Sequence, residues 1–290
     1  MLQWKVLERQ KLIHFLQTKL IPAPSGKALR KALEANLCRV NGAVERFGST
    51  SLSRGALVEL ALNWDEAESS KSKEHFVLYE DNDLLIVNKS AGWVCTDAEC
   101  KKAFGPGRFL IHRLDKETTG ALLIAKSVAM RDAMIEQFRE KKVQKLYYAI
   151  VDGVPNAPKG VCQSLLAKVG QFEGQSLWGS APRGQSAETH WKVLGRGAAA
   201  ALLACQPITG RTHQIRVHLA EMGHPILIDR QYAKRYRSKY FAKRPLLHAA
   251  RLSFVQPLTG VKLDVAAEVG EDFAEGLAAL GLLQEFRARN

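Results

Sequence analysis

Cysteine is scarce and odd in number. Cys38, Cys95, Cys100, Cys162 and Cys205 include no Cys-x-x-Cys pair. That spacing argues against a zinc ribbon and against a redox dithiol. Reduced, mostly buried thiols in a cytosolic protein are the expectation. Long apolar runs are missing as well. The longest uncharged stretch, "GAAAALLACQPITG" (197–210), is broken by Gly and Pro and is too short to cross a bilayer. The amino terminus, "MLQWKVLERQ", carries charge within its first ten residues and does not read as a signal peptide. Acid is in deficit: 29 Asp+Glu face 42 Lys+Arg, a net charge of +13. Such a surplus attracts polyanions, and nucleic acid is the commonest soluble one.

The chain of 290 residues allows one large domain and a small one. The polar stretch "DEAESSKSKEH" (65–75) reads as a linker, which splits the chain into 1–64 and 76–290. In the first part, Leu12, Phe15, Leu16 and Leu20 recur at helical spacing. Ser25 is placed to cap a second helix with Leu29, Leu33 and Leu37 on one face and Arg30 and Lys31 off it. Asn41-Gly42 then predicts a tight hairpin, and "RGALVELAL" a strand. In the second part, strands are predicted at "FVLYE", "DLLIVNK", "GALLIAK", "QKLYYAIVDGV", "ETHWKVLGR" and "RPLLHAARLSFV". Helices are predicted over 128–142, 212–223 and the terminal "EDFAEGLAALGLLQEF", with Phe273, Leu277 and Leu280 on one face. Strands outnumber helices without regular alternation. The fold class expected is therefore α+β on a mostly antiparallel sheet.

Three patterns invite functional readings that fail on spacing or compete with plainer ones. "GRGAAA" (195–200) fits a dinucleotide fingerprint but lacks the acid about twenty positions on. His213 and His218 stand five apart, so on a helix their imidazoles diverge and cannot share a metal. "DRQYAKRYRSKYFAKR" (229–244) interleaves seven cations with aromatic rings, which suits either a solvated face or an RNA-contacting one.

"HRLDKETTGALLIA" (112–125) runs a polar turn into a buried strand and would hold Asp115 rigidly at the mouth of a sheet. Tyr147 lies in another strand. "PITGRTHQIRVHLAEMGHPI" (207–226) is a glycine turn and a helix carrying Arg211 and Arg216. Together they offer a carboxylate, a phenol and a guanidinium, with no Ser-His-Asp set and no phosphate loop. A carboxylate can act as a nucleophile without an activating base.

These segments resemble the RluA-type family of RNA pseudouridine synthases over roughly residues 76–260. The likeness rests on "LYEDNDLLIVNK", "HRLDKETTGALLIAK", "KLYYAIV", "GQSAETHWKVL", "PITGRTHQIRVHLAEMGHPIL" and "LLHAARLSFVQPLTG", in that order. Residues 10–62, with "CRVNG" as their core, resemble the alpha-L RNA-binding domain. The resemblance implies a pseudouridine synthase core behind an alpha-L domain. It implies Asp115 as nucleophile, Tyr147 packed on the target base and Arg216 paired with Asp115. Arg113 would fill the gap left by a flipped uridine, with Arg211 and His213 also facing RNA, while Lys27, Arg30, Lys31 and Arg39 would face phosphates. No cofactor and no metal are implied. The expected partner is RNA, ribosomal before transfer RNA, and the expected setting a cytoplasmic monomer with no membrane. A non-catalytic RNA-binding factor on the same fold is the reading from another class, and the intact Asp–Tyr–Arg set argues against it. The chain departs from the family at Ser90, Thr119, Gln185, Ile228 and Gln256, where Pro, Ser, Lys, Gly and His are usual.

Overall fold

The computed structural model describes residues 1–66, 75–233 and 235–288. The stretch read as a linker lies mostly outside them. In the first part the two expected helices, the hairpin and the closing strand form around a core of their own, with Leu37 just past the second helix. Helices Leu12–Lys19 and Gly26–Glu34 bury Leu12, Phe15, Leu16, Leu29 and Leu33 against Val58 and Leu60. The Ser25 hydroxyl accepts the Ala28 N–H at 3.1 Å and starts the second helix. Asn41 and Gly42 take φ of +52° and +79°, the left-handed pair that a two-residue hairpin needs. A strand that sequence reading missed, Leu2–Lys5, pairs with Leu57–Leu60 and completes a four-stranded sheet. It is short, and its partner lies more than fifty residues away, so no local signal marks it.

The rest is built on one large sheet. Its strand order is Gln175–Ser180, Lys159–Phe172, Gln185–Arg196, Ala200–Pro207, Gln144–Asp152, Leu247–Val255, Thr119–Ala125, Leu84–Lys89 and Phe76–Glu80. Lys262–Ala266 and Phe109–Leu110 pair beside this path. Among the described residues only Thr119–Ala125 and Leu247–Val255 pair in parallel. The sheet is therefore mixed and mostly antiparallel, as expected. Helix Val128–Arg139 buries Met130 and Met134 against Ala121 and Leu123. The single terminal helix expected is two, Glu271–Ala279 and Leu283–Arg287, because Gly281 turns left-handed (φ +71°) between them. "GRGAAA" closes a turn between antiparallel strands, with Gly197 N–H donating to Ala200 C=O at 2.8 Å. It does not lead from a strand into a helix.

One row of residues crosses the sheet and sets up the site. Trp191, Cys205, Tyr147, Ala249, Gly120 and Lys89 are successive neighbours on adjacent strands. Tyr147 thus stands one strand from Gly120, the residue that ends "HRLDKETTG", with only the small Ala249 between. The chains come close there. A Cβ on Gly120 would lie 2.1 Å from the Ala249 carbonyl oxygen, and its φ is +113°. No other residue type meets both conditions.

Arg39 corrects the expectation made for it. It is 1% exposed and faces no phosphate. Its Nη1 and Nη2 donate to the carbonyls of Ser238 and Tyr240, both at 2.7 Å, and its guanidinium lies 4.6 Å from the Phe241 ring centre. Asn36 donates to Lys243 C=O, and buried Glu59 pairs with Lys239 at 2.8 Å. The basic run 229–244 therefore turns Tyr236 and Phe241 inward as a socket for Arg39. Lys234 of that run lies outside the described residues. Aromatic residues beside cations suited stacking on bases, but here the rings found an internal guanidinium.

Candidate active site

The turn that carries Asp115 is tied down on both sides. His112, before it, accepts the Leu123 N–H on Nε2 at 3.0 Å and stacks on Phe138 at 5.0 Å. Burial, helped by Lys145, lowers its pKa to about 3, so it stays neutral. Lys89, fully buried, donates from Nζ to the carbonyls of Ser90 (2.9 Å), Trp93 (3.1 Å) and Lys116 (3.0 Å). Behind the turn, Thr119 bonds His248 Nδ1 at 2.8 Å, and His248 Nε2 reaches Ala267 C=O at 3.0 Å. That second contact requires the proton on Nε2, so the Thr119 hydroxyl donates to Nδ1.

Asp115 is about a quarter exposed and meets Arg216 Nη1 at 3.1 Å through Oδ2. Arg216 is held from its other side. Its Nε and Nη2 fork onto both oxygens of Asp229, at 2.7 and 2.8 Å, and Nη2 also reaches Gln231 Oε1 at 2.9 Å. The Tyr232 ring lies 5.0 Å from its guanidinium carbon. Burial opposes this charge, but Asp229 and Asp115 more than offset it and raise the Arg216 pKa. The fork fixes the plane of the guanidinium, so the one contact left for Asp115 has a set direction.

The helix under Arg216, Gln214–Glu221, is bolted to the sheet by Gln214. Its Oε1 accepts from the Thr209 hydroxyl (2.6 Å) and Arg211 N–H (3.0 Å). Its Nε2 donates to Glu188 C=O and to Thr189 Oγ1, both at 2.9 Å. His213 and His218 diverge as expected. His218 bonds Thr189 and Ser164, whereas His213 faces the Asp115 side.

A cleft of about 640 Å³ gathers Asp115, Tyr147 and Arg216 with Arg113, Arg211 and His213. All the site residues expected of the second part therefore line one cavity. Burial pushes the Tyr147 phenol pKa up, and the Asp115 charge adds to that, so the phenol is protonated in the resting site. Arg113 is exposed at the cleft, and the ion pairs of its turn, Lys116–Glu117 and Arg216–Asp115, leave it out. Arg211 is anchored through Nε to Ser186 C=O at 3.0 Å. Lys27, Arg30 and Lys31 are exposed on the helix Gly26–Glu34 and are not part of the cleft. The residues that sequence reading missed are supports: Lys89, Gln214, Asp229, Gln231 and Tyr232. Asp229 was legible as the lone acid of a run with seven cations.

Ile228, beside Asp229, has φ +65°, so the glycine usual in the family would sit there without strain. Gln256 is buried, and its Oε1 caps Leu258 and Thr259 N–H at 2.7 Å each.

A model described as RNA pseudouridylate synthase matches residues 83–221. Ribosomal large subunit pseudouridine synthase C of Vibrio cholerae is 38% identical over 222 residues, 71% of this chain and 70% of that protein. The chain belongs to the RNA pseudouridine synthase family. Within it, the synthase of the same name from Escherichia coli is 34% identical over 297 residues, covering 93% of each. The alignment with that synthase therefore takes in most of the first part too. Among solved structures, human RNA pseudouridylate synthase domain containing 4 superposes with a TM-score of 0.59 at 28% identity, over 71% of this chain and 93% of that one. Membership makes this chain an RNA uridine-to-pseudouridine isomerase by class. Among the described residues no helix is long and apolar enough to cross a membrane.

Proposed function

We propose that this protein isomerises uridines of large-subunit ribosomal RNA to pseudouridine, with Asp115 as the nucleophile. The reading is carried by one observation. In a chain of this family, Asp115 is held at 3.1 Å by an arginine that two further side chains immobilise, in a cleft it shares with a half-buried phenol. Substrate RNA enters through the surplus of positive charge. The target uridine leaves its stack to reach the cleft, and Arg113, exposed at the cleft, takes the vacated space. Asp115 attacks, the glycosidic bond breaks, the base turns, the C5–C1′ bond forms, and the bond to Asp115 breaks to restore the carboxylate. The proton on C5 is lost and one is gained at N1, so the reaction is balanced without any redox partner. Tyr147 packs on the base, and its protonated phenol, in the same cleft, is placed to relay that proton. Arg216 keeps Asp115 oriented throughout.

The names of the relatives support ribosomal RNA as substrate. Residues 1–64 serve as an alpha-L RNA-binding domain, with Lys27, Arg30 and Lys31 turned to phosphates. Asp115→Asn tests the reading. It keeps the side-chain shape and removes the charge. It is expected to bind ribosomal RNA fragments at least as well as the parent and to yield no pseudouridine in a single turnover. Substantial product from this variant, with binding intact, removes Asp115 from the role.

A further inference from the structure

Arg216 addresses only one oxygen of Asp115, and the other has a neighbour of its own. His213 Nε2 stands 3.8 Å from Asp115 Oδ1. The opposite ring nitrogen, Nδ1, meets the Tyr232 hydroxyl at 2.7 Å. That hydroxyl also accepts the Trp178 N–H at 3.2 Å. A phenol oxygen already accepting a backbone N–H is best used as a donor toward Nδ1. Its proton then fixes the tautomer: Nδ1 accepts, and Nε2 carries the N–H that points at Asp115. Tyr232 stands edge-on to the imidazole, its ring centre 5.7 Å away at 83°, while its face lies against Arg216. One tyrosine thus supports both partners of the carboxylate. His213 itself holds φ +56° just before the helix Gln214–Glu221, a left-handed conformation that presents its ring to the cleft.

We infer that His213, with its tautomer set by Tyr232, is a second positioning residue for Asp115, donating to Oδ1 while Arg216 donates to Oδ2. This rests on the reading of Asp115 as the reacting carboxylate. At 3.8 Å the contact is open in the free enzyme, and hydrogen bonds of this kind tighten when substrate closes the site. Two donors on two oxygens leave the carboxylate no rotation about its own axis. The groups facing His213 are Asp115 and Arg113 from the turn, Arg216 from the helix, and Asp229 and Tyr232 from the loop beyond it. Burial lowers the His213 pKa despite Asp115, so the ring is neutral at neutral pH and the Nε2–H tautomer is the working form.

The test exploits the backbone. Asn suits a left-handed position better than Gln does, but its amide reaches only as far as Nδ1, whereas the Gln amide reaches about as far as Nε2. If the side chain positions Asp115, His213→Gln keeps the single-turnover rate within about threefold. His213→Asn and His213→Ala then lose about thirtyfold, with the RNA Kd within about twofold for all three. Tyr232→Phe, which keeps the ring on Arg216 and removes the tautomer lock, loses about fivefold. The parent rate falls on acidification as the imidazole gains its second proton and ties up the carboxylate as an ion pair. That limb is absent in His213→Gln. A rate for His213→Asn equal to or above that of His213→Gln overturns the inference, because the residue then only suits the backbone. A loss carried by Kd alone overturns it in favour of an RNA contact. Product from Asp115→Asn sinks the underlying reading and the inference with it, whereas an inert Asp115→Asn beside a fully active His213→Asn sinks the inference alone.

Discussion

Arg39→Ala measures what joins the two parts of the chain. The substitution removes two hydrogen bonds of 2.7 Å from a charged donor to the carbonyls of Ser238 and Tyr240. Each is worth about 1.5 kcal/mol. Loss of the contacts with Phe241 and Tyr236 adds about 1 kcal/mol. Relief from burying a guanidinium, whose pKa burial lowers here, returns about 1 kcal/mol. The net cost is about 3 kcal/mol. It falls on the contact between parts, because the helices and sheet of residues 1–66 keep their own core. Urea unfolding is expected to begin at lower denaturant, and small-angle X-ray scattering to give a larger radius of gyration before that onset. Arg39→Lys, with a point charge able to serve one carbonyl well, is expected to fall between. A midpoint within about 0.5 kcal/mol of the parent together with an unchanged radius refutes the socket as the joint.

Two further predictions concern the core of the site. Gly120→Ala drives a methyl into the Ala249 backbone at a φ of +113° and is expected to cost about 3 kcal/mol or more in urea titration; a loss under about 1 kcal/mol would mean the strands can part there. On acidification, His112 and His248, lowered by burial to about 3 and about 4, stay neutral in the fold while the unfolded chain takes up their protons. Stability is therefore full above about pH 6.5 and falls as pH drops toward 4, at up to about 1.4 kcal/mol per pH unit for each. His248→Gln should flatten that slope, and an unchanged slope rejects the assignment.

The site was legible in outline because the residues proposed for the chemistry sit in contiguous motifs. Asp115, Tyr147 and Arg216 each belong to a stretch whose turn, strand or helix could be read locally. Apart from Asp229, what holds them was not legible, because those partners come from elsewhere in the chain. Lys89 reaches the carbonyl of Lys116, and Thr189 serves both Gln214 and His218. Charge was misread in one respect. A surplus of cations signals a polyanion for the chain as a whole, but it does not say which cation is exposed. Arg39 and the rings of the 229–244 run look like an RNA face by composition, and only their tertiary neighbours show that they face each other. Similarly, Lys159–Phe172 was not read as a strand because small and polar residues interrupt its alternation, and Ala200–Pro207 was not because it is buried on both faces and does not alternate.

Lys89 gives the Asp115 turn an unusual dependency. Three carbonyls converge on its ammonium as they would on a small cation that closes a loop. This cation is tethered to the strand Leu84–Lys89, so neither dialysis nor a competing ion can remove it. Only chemistry on the nitrogen itself can, and at 0% exposure such chemistry has no access to the folded chain. Acetylation or carbamylation of Lys89 is therefore possible only before the turn closes, on the nascent or unfolded chain. Once made there, it would leave three carbonyls facing an uncharged amide. The fold thus guards the modification state of its own keystone, and a sample carrying that mark would report its folding history rather than its later exposure.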